Sequence, residues 1–95
     1  MIKIIAEFFV KTESVDEAER LAKELVAETV KEAGCIAYNL FADNADNTHI
    51  VIIEEWESQE ALDIHSASAH FSRLVPAIAN LCEKEPSVRA YTKLA

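Results

Sequence analysis

An α+β fold with the element order β-α-β-β-α-β is predicted by three features of this sequence. Ile2 to Val10 alternates between an apolar and a mixed face. Val15 to Ala33 repeats apolar residues mostly at spacings of three and four. Ile50-Val51-Ile52-Ile53 runs into Glu54-Glu55-Trp56 just before a second helical pattern begins. This order is the split βαβ, ferredoxin-like arrangement, in which helices cover one face of a four-stranded antiparallel sheet.

In the first strand, Ile2, Ile4, Ala6, Phe8 and Val10 share one face, and Lys3, Ile5, Glu7 and Phe9 the other. Ser14 and Glu17 read as a capping box, and Asp16 and Glu17 suit the positive end of a helix. The helix that follows is predicted to run about five turns, with Gly34, the only glycine, as its left-handed C-terminal cap. Cys35 to Phe41 forms a second strand. The turn formers Asp43-Asn44-Ala45-Asp46-Asn47 then join it to a third strand, Thr48 to Trp56. Ser58 caps a short helix ending near Ser66, and another runs from Ser68 or Ala69 to Cys82, kinked or split by Pro76. After the turn at Lys84-Glu85-Pro86, Ser87 to Leu94 supplies the last strand.

The helices cover only one sheet face, yet Ile50 to Ile53 is apolar on both. A second copy of the chain is the simplest cover, so a homodimer with its sheets back to back, approaching a barrel, is expected.

Composition narrows the function classes. The chain of 95 residues is read as one domain, residues 1–95, with 51% hydrophobic and 27% charged residues. A net charge of −8, with nine Lys and Arg forming no stripe, argues against nucleic-acid binding. A single glycine cannot build a P-loop or a dinucleotide fingerprint, so cofactors held by those motifs are excluded. No apolar stretch approaches the roughly 20 residues that span a bilayer, and the N-terminus reads as a strand rather than a signal peptide. No membrane partner is expected, and the well-separated Cys35 and Cys82 read as free thiols of a cytoplasmic protein.

Gly34-Cys35-Ile36-Ala37-Tyr38-Asn39-Leu40, then Glu54-Glu55-Trp56, Ala61-Leu62-Asp63-Ile64-His65 and His70-Phe71 resemble, in order and spacing, the antibiotic biosynthesis monooxygenase (ABM) family and its quinol monooxygenase-like members. The resemblance implies a dimeric α+β barrel with a pocket between sheet and helices in each subunit. It implies oxygenation of a quinol or polyphenol by dioxygen, with no metal or flavin cofactor. The family also holds haem-degrading enzymes, which use an asparagine in the first strand; Ile2 to Val10 has none. It holds an isomerase of a phosphorylated sugar derivative as well, a chemistry that wants cations, and the helices after Ser58 offer only Arg73.

His65 follows Leu62 by three residues and Ala61 by four, so it shares their inward face, where imidazole can take a proton from a phenolic hydroxyl. Its bland alternative is a core histidine. Glu54 and Trp56 share one strand face. The indole is read either as a wall for an aromatic substrate or as core, and Glu54 either orients His65 or substrate or anchors a helix, while Glu55 points away. Phe71 is read as core or pocket wall and His70 as surface or site. Tyr38 and Asn39 lie on opposite faces, so at most one reaches the pocket. No metal site is expected, because His65 and His70 are five apart with no third ligand at metal-binding spacing. Neither cysteine has an evident histidine partner for a nucleophile's role. Three functions stay open: a cofactor-free monooxygenase, an isomerase of a small, phosphorylated hydroxy-ketone, and a non-catalytic binding dimer.

Overall fold

The computed structural model describes residues 1–95. Its elements are β1 (Ile2–Phe9), a short 3-10 turn (Thr12–Ser14), α1 (Val15–Thr29), β2 (Cys35–Ala42), β3 (His49–Trp56), α2 (Gln59–Ser66), α3 (Ala69–Ala79) and β4 (Ser87–Thr92). The strands form one antiparallel sheet in the order β2-β3-β1-β4, the predicted α+β ferredoxin-like fold. No helix is long and apolar enough to cross a membrane.

The core lies on the side of the sheet that the helices cover. Strand alternation sends Ile4, Ala6 and Phe8 of β1, and Ile50, Ile52, Glu54 and Trp56 of β3, to this face. Ala18, Ala22 and Leu25 of α1 and Leu74 and Ile78 of α3 pack onto them. Ile5, Val51 and Ile53 occupy the opposite face, only half-buried, and no element of the chain covers them.

Several local expectations are corrected. Ser14 makes no capping hydrogen bond: it ends the 3-10 turn with φ −113° and ψ 7°, not the extended geometry that aims a hydroxyl at the first helical amides. Glu17 accepts instead from Arg20 Nε. The first helix ends at Thr29, and tighter turns follow in which Glu32 N donates to Thr29 O and Cys35 N to Glu32 O. Gly34 does take a left-handed φ of +86°, but at the end of those turns rather than at the helix terminus. Pro76 lies inside a continuous α3 and does not split it. Ser58 and Ser68 cap α2 and α3, accepting from the amides of Ala61 and Phe71.

Gly34 also marks a close approach. A Cβ added there would stand 2.6 Å from Ala61 Cβ, and Gly34 O accepts from Glu57 N. The turn carrying Glu32 is therefore held against the first turn of α2. His65 lies one helical turn further along that helix, on the face of Ala61.

Candidate functional site

A cavity of about 210 Å³ opens between the inner sheet face and α2 and α3. Its walls are mostly apolar, with Phe8, Leu25, Ile52, Leu62, Phe71 and Val75 among them. The ionisable groups on its lining are Tyr38, Glu54, Asp63 and His65; no lysine or arginine is present.

His65 reaches this lining from the last turn of α2 and is 1% exposed. Its ring is clamped by Trp56, tilted with centroids 4.6 Å apart, and by the edge-on rings of Phe71 at 5.2 Å and Tyr38 at 5.4 Å. Nδ1 lies 2.7 Å from Glu32 Oε2. A carboxylate oxygen accepts, so Nδ1 carries the proton and Nε2 keeps a lone pair. Nε2 is buried and has no partner. Burial lowers the His65 pKa below the ordinary histidine value, against the hydrogen bond and charge of Glu32, which raise it.

Glu32 accepts a second time. His70 Nε2 stands 2.8 Å from the same oxygen, Oε2. The Ser68 hydroxyl fixes the two histidines relative to each other: it donates to His65 O at 2.7 Å and accepts from Phe71 N at 3.3 Å, across the junction of α2 and α3. Sequence reasoning missed Glu32. It lies 33 residues before His65, in turns that the apolar periodicity assigned to α1, and its only signal is its place two residues before the lone glycine.

Glu54 is 5% exposed and accepts from Trp56 Nε1 at 2.8 Å. Burial pushes its carboxyl up to about 7, although the indole hydrogen bond pulls the other way and the charge of Glu32 adds to the rise. Glu54 is thus divided between its two protonation states near neutrality. Burial also pushes the Tyr38 phenol well above its usual value, and the charge of Glu54 adds to that shift.

The other predicted residues separate. Tyr38 and Phe71 line the cavity. Asn39 is exposed and pairs with Ile53 on the outer face. The deciding feature is a bulge between Cys35 and Ala37, which sets Tyr38 opposite Glu54. Trp56 is wholly buried and lies behind His65 and Glu54, outside the cavity lining, so its ring is core rather than substrate wall. His70 is also outside the lining and touches the site through Glu32. Cys35 and Cys82 are unpaired, and burial raises both thiol pKa values.

The family model described as antibiotic biosynthesis monooxygenase matches residues 1–77. The chain is 26% identical to the Synechocystis protein sll1783 over 86% of its length, but that match spans only 56% of the relative. It is 32% identical over 79% of each chain to a Bacillus subtilis protein that bears the name putative monooxygenase YcnE. A crystal structure of an antibiotic biosynthesis monooxygenase superposes with a TM-score of 0.96 and 43% identity, covering 100% of both chains.

Proposed function

The chain belongs to the antibiotic biosynthesis monooxygenase family, and from that premise we propose that it oxygenates a small, uncharged quinol or polyphenol with dioxygen and no resident cofactor, using His65 as the base. The observation that carries this reading is the lone pair of His65 Nε2, unpartnered beside an apolar cavity while Glu32 holds the proton on Nδ1. A phenolic hydroxyl gives its proton to Nε2. The resulting imidazolium is stabilised through Nδ1 by the Glu32 carboxylate. The electron-rich phenolate then reduces dioxygen itself: one oxygen atom enters the substrate, the other leaves as water, and the substrate supplies all the electrons. Glu54, whose carboxyl burial pushes up to about 7, in its protonated form donates a hydrogen bond to the oxyanion that develops. Nε2 is shielded at rest, so substrate reaches it as Phe71 or Tyr38, the rings at its edges, swings aside.

The cavity size fits one or two rings. With Glu54 and Asp63 on its lining and no cation, it has nothing to pair with a phosphate, which weighs against the phosphorylated hydroxy-ketone. The half-buried outer face, with Phe41 51% exposed at its β2 edge, supports a homodimer packed sheet to sheet. Sedimentation velocity is expected to show a dimer that Val51→Glu converts to monomer. A monomeric wild type would remove this part of the proposal. Two free thiols suit a reducing cytoplasm.

The test of activity is oxygen uptake by purified, metal-stripped protein over a panel of hydroquinones. Uptake above the autoxidation rate is expected, falling roughly 10²- to 10⁴-fold in His65→Ala. Uptake that the variant retains would remove His65 as base. Tight ligand binding without any uptake would instead favour a non-catalytic binding protein.

A further inference from the structure

We propose that Glu32, His65 and His70 form a binding site for a divalent transition-metal ion, and that the ion acts as an off-switch for the base. One ligand atom from each residue lies within 4.8 Å of the others. The His65 Nδ1 and His70 Nε2 contacts to Glu32 Oε2, 2.7 and 2.8 Å, are hydrogen-bond distances. An ion bound at about 2.0–2.1 Å to each ligand would hold neighbouring ligand atoms roughly 3.0–3.4 Å apart, so the two Glu32 contacts lengthen by a few tenths of an ångström while the two imidazole nitrogens, within 4.8 Å of each other, settle to the same spacing. Two imidazoles and one carboxylate are a donor set for zinc, cobalt or ferrous iron rather than for calcium or magnesium.

The ligands are also well placed. They come from three separate elements: the turn after α1, the last turn of α2 and the first turn of α3. Two devices described above hold these together, the Ser68 clamp and the seat of Gly34 on Ala61. The side chains of His70 and Glu32 are 19% and 13% exposed, against 2% for His65, so an ion has an approach from the His70 side. That side is the far side of His65 from the cavity, because neither His70 nor Glu32 is on the cavity lining.

The coupling follows from the tautomer. An ion needs the lone pair of His65 Nδ1, which in the metal-free protein carries the proton. An imidazole that ligates through the nitrogen carrying its proton moves that proton to its other ring nitrogen. His65 then presents Nε2–H to the cavity, a donor where the reaction needs an acceptor. This second consequence rests on the proposed role of His65 as base; the binding itself does not.

Cobalt(II) is the probe, added to metal-stripped protein while its d–d absorption is followed. A one-to-one titration with a low-symmetry, intense spectrum is expected, with affinity falling roughly 100-fold or more in both Glu32→Gln and His70→Ala. No binding by wild type, or binding that both variants keep, overturns the site. If either variant unfolds, imidazole ¹⁵N–¹H correlation spectra of wild type decide. Movement of the His65 proton from Nδ1 to Nε2 as diamagnetic zinc(II) is added in place of cobalt supports the proposal, and an unchanged tautomer overturns it. Oxygen uptake with a hydroquinone, measured on the same titrated samples, separates the two readings. Uptake that cobalt leaves intact sinks the switch, whereas absence of uptake in metal-free protein sinks the oxygenase and leaves the spectrum to judge the site.

Discussion

Glu54 and Glu55 are neighbours in β3 and the same residue type, yet they sit in different chemistry because a strand sends successive side chains to opposite faces. Glu54 lies under the helices, almost fully buried, bonded to an indole and facing a cavity. Glu55 lies on the outer face, 3.1 Å from Lys3 Nζ, with a side chain 30% exposed. The two faces treat histidine in the same divided way. His49 on the outer face stacks on Phe9, with Nδ1 3.2 Å from Asp43 and a buried, unbonded Nε2 3.6 Å from Glu7. His65 has one carboxylate and an unpartnered nitrogen. Each histidine thus keeps one buried ring nitrogen without a hydrogen bond; that of His49 has the Glu7 carboxylate 3.6 Å away, whereas His65 belongs to the lining of the cavity.

The largest expected effect is on turnover. His65→Gln should lower oxygen uptake with a hydroquinone by roughly 10²- to 10⁴-fold, whereas His49→Gln should leave it within about twofold, since His49 touches nothing that lines the cavity. Equal losses in both variants would end the distinction between the faces.

Next in size is an attack on the seat that brings Glu32 to His65. Gly34→Ala places a methyl 2.6 Å from Ala61 Cβ and forces a non-glycine residue to φ +86°. Backbone strain and overpacking together should cost about 2–4 kcal/mol. Urea unfolding measures this, and an unchanged midpoint would mean that the turn is not held tightly against α2. The inner face should also lose more than stability: in imidazole ¹⁵N spectra, the Nδ1–H tautomer of His65 should give way to a mixture once Glu32 is displaced.

Much of this division was legible in the sequence and some was not. The alternation of β1 put Ile4 and Phe8 on one face, and that of β3 put Glu54 and Trp56 together with Glu55 opposite, because strand periodicity is local and both strands are regular; that the two sets share one sheet face comes from the register. The helical spacing from Ala61 to His65 likewise placed the imidazole inward. What failed was non-local or irregular. The bulge at Cys35/Ala37 resets the alternation of β2, so no counting along Tyr38-Asn39 could tell which residue meets Glu54. Glu32 joins His65 only through tertiary packing, across 33 residues. Trp56 faces inward as read, but depth is not direction: its ring passes behind the cavity lining into the core. Ser14, Ser58 and Ser68 look alike as helix starts, and only the two with extended backbone act as caps.

The smallest expected effect returns to the two glutamates and gives the comparison a pH axis. Folded, the Glu54 carboxyl keeps its proton up to about pH 7, while in the unfolded chain it lets go near 4.5. Between those values the folded state binds more protons, so stability falls as pH rises. The Glu54 contribution is complete below pH 4.5 and spent above pH 7, a span worth at most about 3 kcal/mol. Glutamine at this position still accepts from Trp56 Nε1 but carries no charge at any pH. Glu54→Gln should therefore match wild type near pH 4 and exceed it at pH 8, and thermal melts across that range read the difference directly. Any shift from His65 is common to both proteins and cancels. On the other face, Glu55→Gln removes only a partly exposed ion pair and should cost about 0–1 kcal/mol. A Glu54→Gln difference that stays flat with pH would mean that water reaches Glu54 freely, and the inner face would then be no drier than the outer one.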